Sequence, residues 1–226
     1  MDVAQESPAN KLDRWRERAQ LDDRIFTERD CAYIASTFAE LDALCETMGR
    51  SASDVRQAIG SGLLPQPTYA VEGKEWVPKD YFALLDAAGG DPARLRAEFL
   101  QRYAAAHKAA AGEPVPPGEA ERAWQDYLSG EYGVCLRQVT PESIVRKGEL
   151  IETIENLLAA EEARSDAWRQ ELRAAVDALD ALELPFAEGD RIRFGSPSSR
   201  DLYITAPRAR YTFLTGPLSA GSPQAP

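Results

Sequence analysis

The chain has 226 residues, of which 44% are hydrophobic and 28% charged, values ordinary for a globular protein and incompatible with wholesale disorder. Its 37 Asp and Glu against 26 Lys and Arg give a net charge of -11, so a phosphate backbone is repelled unless the bases gather on one face. A single His beside three Cys excludes two-histidine zinc motifs and imidazole clusters, and neither a metal nor an organic cofactor is expected.

The first residues, Met1-Asp2-Val3-Ala4-Gln5-Glu6-Ser7-Pro8, lack the basic region and apolar stretch of a secretory signal. No apolar run approaches the ~18 residues of a membrane span. Cys31, Cys45 and Cys135 form no Cys-x-x-Cys pair and read as free thiols in a reducing cytosol. The expectation is a cytoplasmic protein without membrane contact.

Residues 1–25 read as an amino-terminal arm, with Leu12, Trp15 and Ala19 at helical spacing. A first helical unit is expected over 26–111. Phe38, Leu41, Leu44, Cys45 and Met48 recur at steps of three and four, which predicts an amphipathic helix ending at Gly49. Ser51 caps a second helix, with Asp54 three residues on and Val55 and Ile59 on its buried face. Thr68–Val71 and Lys74–Val77 predict a β-hairpin turning at Glu72-Gly73, and Ile59 and Trp76 are placed in the core of this unit. Tyr81, Phe82, Leu84 and Leu85 mark the next helix. Asp91-Pro92 opens a further one with Leu95, Phe99 and Tyr103 facing inward.

The proline- and glycine-rich stretch from Ala109 to Gly118, centred on 112–118, reads as a linker. A second helical unit follows over 119–215. Trp124, Tyr127 and Leu128 mark a short helix, Thr140-Pro141-Glu142 opens a longer one, and Ser165 opens the clearest stripe, over Trp168, Leu172, Val176, Leu179 and Leu182. From Phe186 the pattern becomes irregular, and 216–226 reads as a disordered tail. The fold class is therefore mainly α, with one short hairpin in the amino-terminal unit and a helical carboxy-terminal unit packed on it.

Helix, turn, helix and hairpin, carried by Met48-Gly49, the Ser51 to Gly62 helix, Leu63-Leu64-Pro65 and the strands ending at Trp76, resemble the winged helix-turn-helix modules of excisionase-like and MerR-like proteins. Over its full length the chain is similar to a bacterial family of uncharacterised domains whose members carry the label natural-product biosynthesis protein. Leu64-Pro65-Gln66-Pro67-Thr68-Tyr69, Val77-Pro78-Lys79-Asp80-Tyr81-Phe82, Tyr132-Gly133-Val134-Cys135-Leu136, Arg193-Phe194-Gly195, Ser199-Arg200-Asp201 and Ala206-Pro207-Arg208-Ala209-Arg210-Tyr211 carry that resemblance. It implies an association with secondary metabolism and brings no catalytic residues.

Charge separates the candidate functions. From Phe38 to Leu64 four acids (Glu40, Asp42, Glu46, Asp54) face two bases (Arg50, Arg56), a net charge of -2, which makes DNA a poor partner. His107 sits at a helix end and reads as solvated, and Cys135 among apolar neighbours reads as a packed thiol. Glu149, Glu152, Glu155, Glu161 and Glu162 read as a solvated acidic face. Between Asp190 and Tyr211, by contrast, Arg191, Arg193, Arg200, Arg208 and Arg210 outnumber Asp190 and Asp201, a local net charge of +3. Such arginines either tie the segment to the acidic helices or grip an anion. The candidate binding residues are Arg193, Arg200, Tyr203, Arg208 and Tyr211. The expected function is an accessory or substrate-handling protein of natural-product biosynthesis, binding an anionic small molecule or carrier-bound intermediate, or a pathway protein. A winged-helix regulator and a metal-free enzyme acting on a small carboxylate or phosphate substrate are the alternatives.

Overall fold

A computed structural model describes residues 22, 24–160, 165–195 and 197–215; the expected arm stripe of Leu12, Trp15 and Ala19, and the tail from Gly216, lie outside the described residues. The first helix, α1 (Glu28–Thr37), carries no long apolar stripe and is fixed by its cap instead. The Thr27 hydroxyl accepts from the Asp30 amide at 3.2 Å, and Asp30 Oδ2 accepts from the Thr27 amide at 3.0 Å. Phe38, expected to begin the next helix, is instead the extended residue that ends α1. Its ring packs edge-on to Tyr69 at 5.0 Å, which pulls the chain out of helical conformation. Ala39–Glu40 then form a strand, β1, that the sequence pattern did not announce.

Helix α2 (Leu41–Thr47) is accordingly shorter than its stripe, and Met48 beyond it is 47% exposed. Ser51 caps α3 (Ala52–Gly60) as expected, accepting from the Asp54 amide at 3.3 Å, and Val55 and Ile59 are buried. The hairpin comprises β2 (Tyr69–Val71) and β3 (Lys74–Val77), in antiparallel register with Tyr69 opposite Trp76. Glu72 and Gly73 both take positive φ, 54° and 71°, the conformation of the two-residue turn whose twist suits a hairpin. Strand β1 pairs on the other edge of β3, giving the order β1-β3-β2. Trp76, expected in the core, is half-buried, packed against the edge of the small cluster of Ile34, Phe38 and Tyr69.

After α4 (Ala83–Ala87), α5 (Pro92–Ala111) buries Leu95, Phe99 and Tyr103 on one face. The stretch read as a linker is a tight helix–helix turn. Helix α5 runs through Ala111, and α6 (Glu119–Leu128) folds straight back on it. Phe99 lies 5.3 Å from Trp124 and 5.1 Å from Tyr127 between ring centroids. One hydrophobic core therefore crosses this turn, from Leu41 and Ile59 through Phe99 and Trp124 to Ile144.

The short helix α7 (Tyr132–Cys135) is seated on the hairpin, because Gly133 has no side chain. A Cβ there would clash with the Thr68 hydroxyl. Helices α8 (Pro141–Ala159) and α9 (Asp166–Leu182) pair around Leu150, Ile154, Trp168, Leu172 and Leu179. The segment from Phe186, expected to be irregular, is helical: α10 (Glu188–Phe194), a π-helical turn (Asp201–Thr205), α11 (Ala206–Arg210) and a 3₁₀ turn (Thr212–Leu214). Each piece is at most seven residues long, too short to show a helical period. Individual contacts hold them in place: Asp201 Oδ2 accepts from the Ser198 amide at 3.0 Å, and Ile204 anchors the π-helical turn in the α8–α9 core. Among the described residues, no helix is long and apolar enough to cross a membrane.

Ile59 is only 6% exposed in the shared core. Ile59→Ala is expected to destabilise the protein by about 2–5 kcal/mol, measured as the shift of the urea unfolding midpoint at unchanged m-value.

Candidate functional site

The arginine-rich segment is held by acids of the helices beneath it. Arg191 forks onto Asp201 at 3.1 and 2.7 Å. Arg200 pairs with Asp180, and Arg208 reaches Asp180 at 2.6 Å and Asp177 at 2.8 Å. Tyr203 donates its hydroxyl to Glu155 of α8. Tyr211 packs edge-on to Trp168 at 5.5 Å, with the Arg210 guanidinium 5.2 Å above its ring. Arg193 points the other way into the hairpin, its side chain 2% exposed. It donates to the Thr68 carbonyl at 2.9 Å, covers the Tyr69 ring at 5.3 Å and lies 3.5 Å from Asp22. Of the five candidate residues, the fold brings together Arg200 and Arg208, on Asp180. Arg193 turns away into the hairpin, and Tyr203 and Tyr211 pack on the α8–α9 core through different contacts.

These contacts set carboxylate acidities. Burial pushes Asp180 upward, but hydrogen bonds from Arg208 and Arg200 outweigh it and hold the carboxyl below its usual range. The Arg191 fork holds Asp201 at about 2. A carboxyl lowered in the folded state stabilises above its unfolded value of ~4, and that contribution is lost as pH falls through the folded value. Asp180→Asn is expected to cost about 1–3 kcal/mol and to lower Tm, because two part-buried guanidinium groups lose their shared anion.

The same segment also forms one wall of a cleft of about 290 Å³, near the lower size of small-molecule sites. Asp126, Glu131, Tyr132, Val134 and Cys135 supply one side, Lys147 of α8 the floor, and Phe186, Asp190, Arg191, Phe194 and Pro197–Ser199 the other. At the floor, Lys147 Nζ lies 3.0 Å from Glu183 Oε1, and Glu183 is fully buried where α9 ends. The Ser199 hydroxyl donates to the same oxygen at 2.5 Å. Burial works against the Lys147 ammonium, but the adjoining Cys135 thiol and Glu183 carboxylate reverse the balance and keep it charged. Burial pushes the Cys135 thiol up despite Lys147 beside it, so the sulfur is held protonated.

Asp190 stands where this cleft meets the buried polar cluster around Arg193. It is fully buried. Its Oδ2 accepts from the Ala187 amide at 2.9 Å and from the Tyr69 hydroxyl at 3.1 Å. Its Oδ1 is buried and has no hydrogen-bond partner among the described residues. Burial raises this carboxyl to about 6, against the pull of the Ala187 amide and Arg193. A carboxyl raised in the folded state stabilises most below its unfolded value of ~4, and that advantage is lost as pH rises through about 6. Asp190→Asn is expected to remove the decline in stability between about pH 4 and about pH 6, read as urea midpoints across that range. Its amide oxygen can still accept from Ala187 and Tyr69.

Cys135 is buried as expected. His107 is partly covered rather than solvated, with Nδ1 3.3 Å from the Glu113 carbonyl, at the α5–α6 turn and outside the cleft. Lys147, Glu183 and Asp190 were not singled out by the sequence. Glu183 did leave a trace, a lone acid between Leu182 and Leu184 at the end of an apolar stripe.

No curated protein and no solved structure matches the chain. A family of unknown function, DUF6058, matches residues 95–212, a span that starts inside α5 and contains every residue lining the cleft. With more than half of its length matched, the chain belongs to this family.

Proposed function

We propose that the protein is a substrate-handling protein of bacterial natural-product biosynthesis, holding a small molecule in the cleft between α7, α8 and α10. The observation that carries this reading is the cleft itself, about 290 Å³, where Lys147, Asp190 and Arg191 stand beside Phe186 and Phe194, the mixture of apolar wall and few polar groups usual for small-molecule sites. The pathway assignment is supported by the resemblance of residues such as Tyr132–Leu136 and Arg193–Gly195 to proteins labelled for natural-product biosynthesis.

Binding is favoured over turnover by the protonation states at the floor. A thiol held protonated and an amine held charged are both poor nucleophiles as they stand. Binding a pathway intermediate also suits the position of the cleft beside the arginine-rich segment. Its arginines would serve there as the frame that fixes the wall.

The β2–β3 hairpin after helices α2 and α3, with β1 from ahead of them on its other edge, supports the winged helix-turn-helix resemblance. The bases of that unit, however, are engaged by acids: Arg50 by Asp86, Arg56 by Asp42 and Glu75, Lys74 by Glu40. Phosphate contacts need bases that can turn outward. These pairings favour a packing or protein-contact role for the unit.

A nitrogen-15 NMR titration of the full chain against a fragment library tests the reading. Binders are expected to shift residues 126–135, 147 and 186–199 together, and Pro197→Trp, which adds bulk at the cleft rim, is expected to weaken them at least about tenfold. Shifts confined to other surfaces, insensitive to Pro197→Trp, would sink the assignment.

A further inference from the structure

Exposed apolar surface is concentrated beside the cleft. Of the five large apolar side chains that stand exposed among the described residues, Met48, Leu63, Ile192, Phe194 and Leu202, three fall within 192–202. Ile192, at 63%, is the most exposed of them. Helix α10 puts it there. Gly189 faces the Phe26 ring, Arg193 enters the hairpin, and Asp190, Arg191 and Phe194 line the cleft. At about 3.6 residues per turn, Ile192 is left on the outward ridge between the Phe26 side and the cleft side, with exposed Glu188 one turn before it. The Arg191 fork on Asp201 brings Leu202, 47% exposed, alongside the end of this ridge. Clustered apolar exposure of this kind marks a contact surface.

The chain itself supplies the occupant. Asp22 is buried, with Oδ2 accepting from the Ala70 amide at 3.3 Å and Oδ1 3.5 Å from Arg193 of α10. The residues before it therefore start from the flank of this helix. Seven positions separate Asp22 from Trp15, a span of about 10 Å as helix and about 23 Å extended. Either crosses α10, whose own width is about 10 Å. Leu12, Trp15 and Ala19 are spaced to share one helical face. From Asn10 to Leu21 four bases (Lys11, Arg14, Arg16, Arg18) outnumber two acids (Asp13, Glu17), a net charge of +2 and opposite in sign to Glu188 on the ridge.

We propose that residues 10–21 form a strap. From the anchor at Asp22 the segment crosses α10, seats Trp15 on Ile192 and carries Leu12 beyond it onto Leu202, along the rim where Phe194 borders the cleft. The docking stands on the ridge and its anchor, whatever the cleft binds.

The strap carries its own reporter, because trypsin cuts after Lys11, Arg14, Arg16 and Arg18. On the full chain a docked strap resists cleavage at these sites. Ile192→Ser combined with Leu202→Ser is expected to speed that cleavage at least about tenfold, since the rate follows the population of the undocked form. Both side chains are exposed, so Tm is expected to hold, and Met48→Ser on the exposed end of α2 is expected to leave the rate unchanged. Should the double variant fail to fold, Trp15→Ala is expected to give the same acceleration from the other side of the contact. Nuclear Overhauser effects from the Trp15 indole to the Ile192 and Leu202 methyl groups are expected in the unsubstituted chain. Cleavage equally fast with and without the substitutions would overturn the strap. Protection that survives them, with Trp15 contacts on another surface, would overturn it too. Protection that falls on dilution would assign the ridge to the same segment of a second copy, and the strap within one chain would be wrong.

Discussion

Helix α10 is short, and by itself it would not persist in water. What holds it is a set of buried polar contacts with parts of the chain more than a hundred residues earlier. Asp30 Oδ1 accepts from the Glu188 amide at 3.0 Å, so the carboxylate that closes the capping box of α1 also caps α10. Tyr69 of β2 donates to Asp190, and Arg193 reaches the Thr68 carbonyl and the face of Tyr69. Gly189 lets the ring of Phe26 approach so closely that a methyl group there would clash. Buried charge of this kind is retained only where it is paired, and here the pairing fixes α10 on the hairpin. The cleft depends on that placement, because α10 and the residues after it are its second wall.

Much of the helical framework is legible in the sequence because it rests on local signals. Ser51, Asp91, Thr140 and Ser165 are side-chain caps where the sequence placed them, and the stripes of α5 and α9 face the core. The hairpin is legible for the same reason, since Glu72-Gly73 is a two-residue turn between strand-forming runs. The failures share a cause. Helix α1 is held by a capping box and by Ile34 rather than a long stripe, β1 is two residues long, and α10 and α11 are stabilised by partners remote in sequence. The proline-rich stretch reads as a linker in composition, yet tilted aromatic contacts between α5 and α6 draw it into a turn.

For the site, composition marks the arginine-rich segment, and the fold supplies the acids that pair with it. A local excess of arginine in an acidic chain is visible in one dimension, whereas the acids that cancel it, Asp177 and Asp180 on α9 and Asp201 itself, are assigned only by the fold. Tyr203 and Tyr211 were grouped with the arginines by proximity in sequence, and they diverge because successive short helical turns point them at α8 and at Trp168. Lys147, Glu183 and Asp190 come from three elements, and no spacing rule links them. Their significance lies in burial, which a charged letter does not display.

The double duty of Asp30 carries a consequence for how the chain is made. Its two capping partners are separated by more than 150 positions, and synthesis runs from the amino terminus at a rate of residues per second. The hairpin and α1 therefore leave the ribosome long before Glu188 does, with the Asp30 carboxylate and the Tyr69 hydroxyl still waiting for their carboxy-terminal partners. Contacts this distant in sequence close last, since the loop entropy is lost before they repay it. The second wall of the cleft thus has to wait for the carboxy-terminal part of the chain, and a nascent chain halted before α10 lacks the partners that Asp30 and Tyr69 take there.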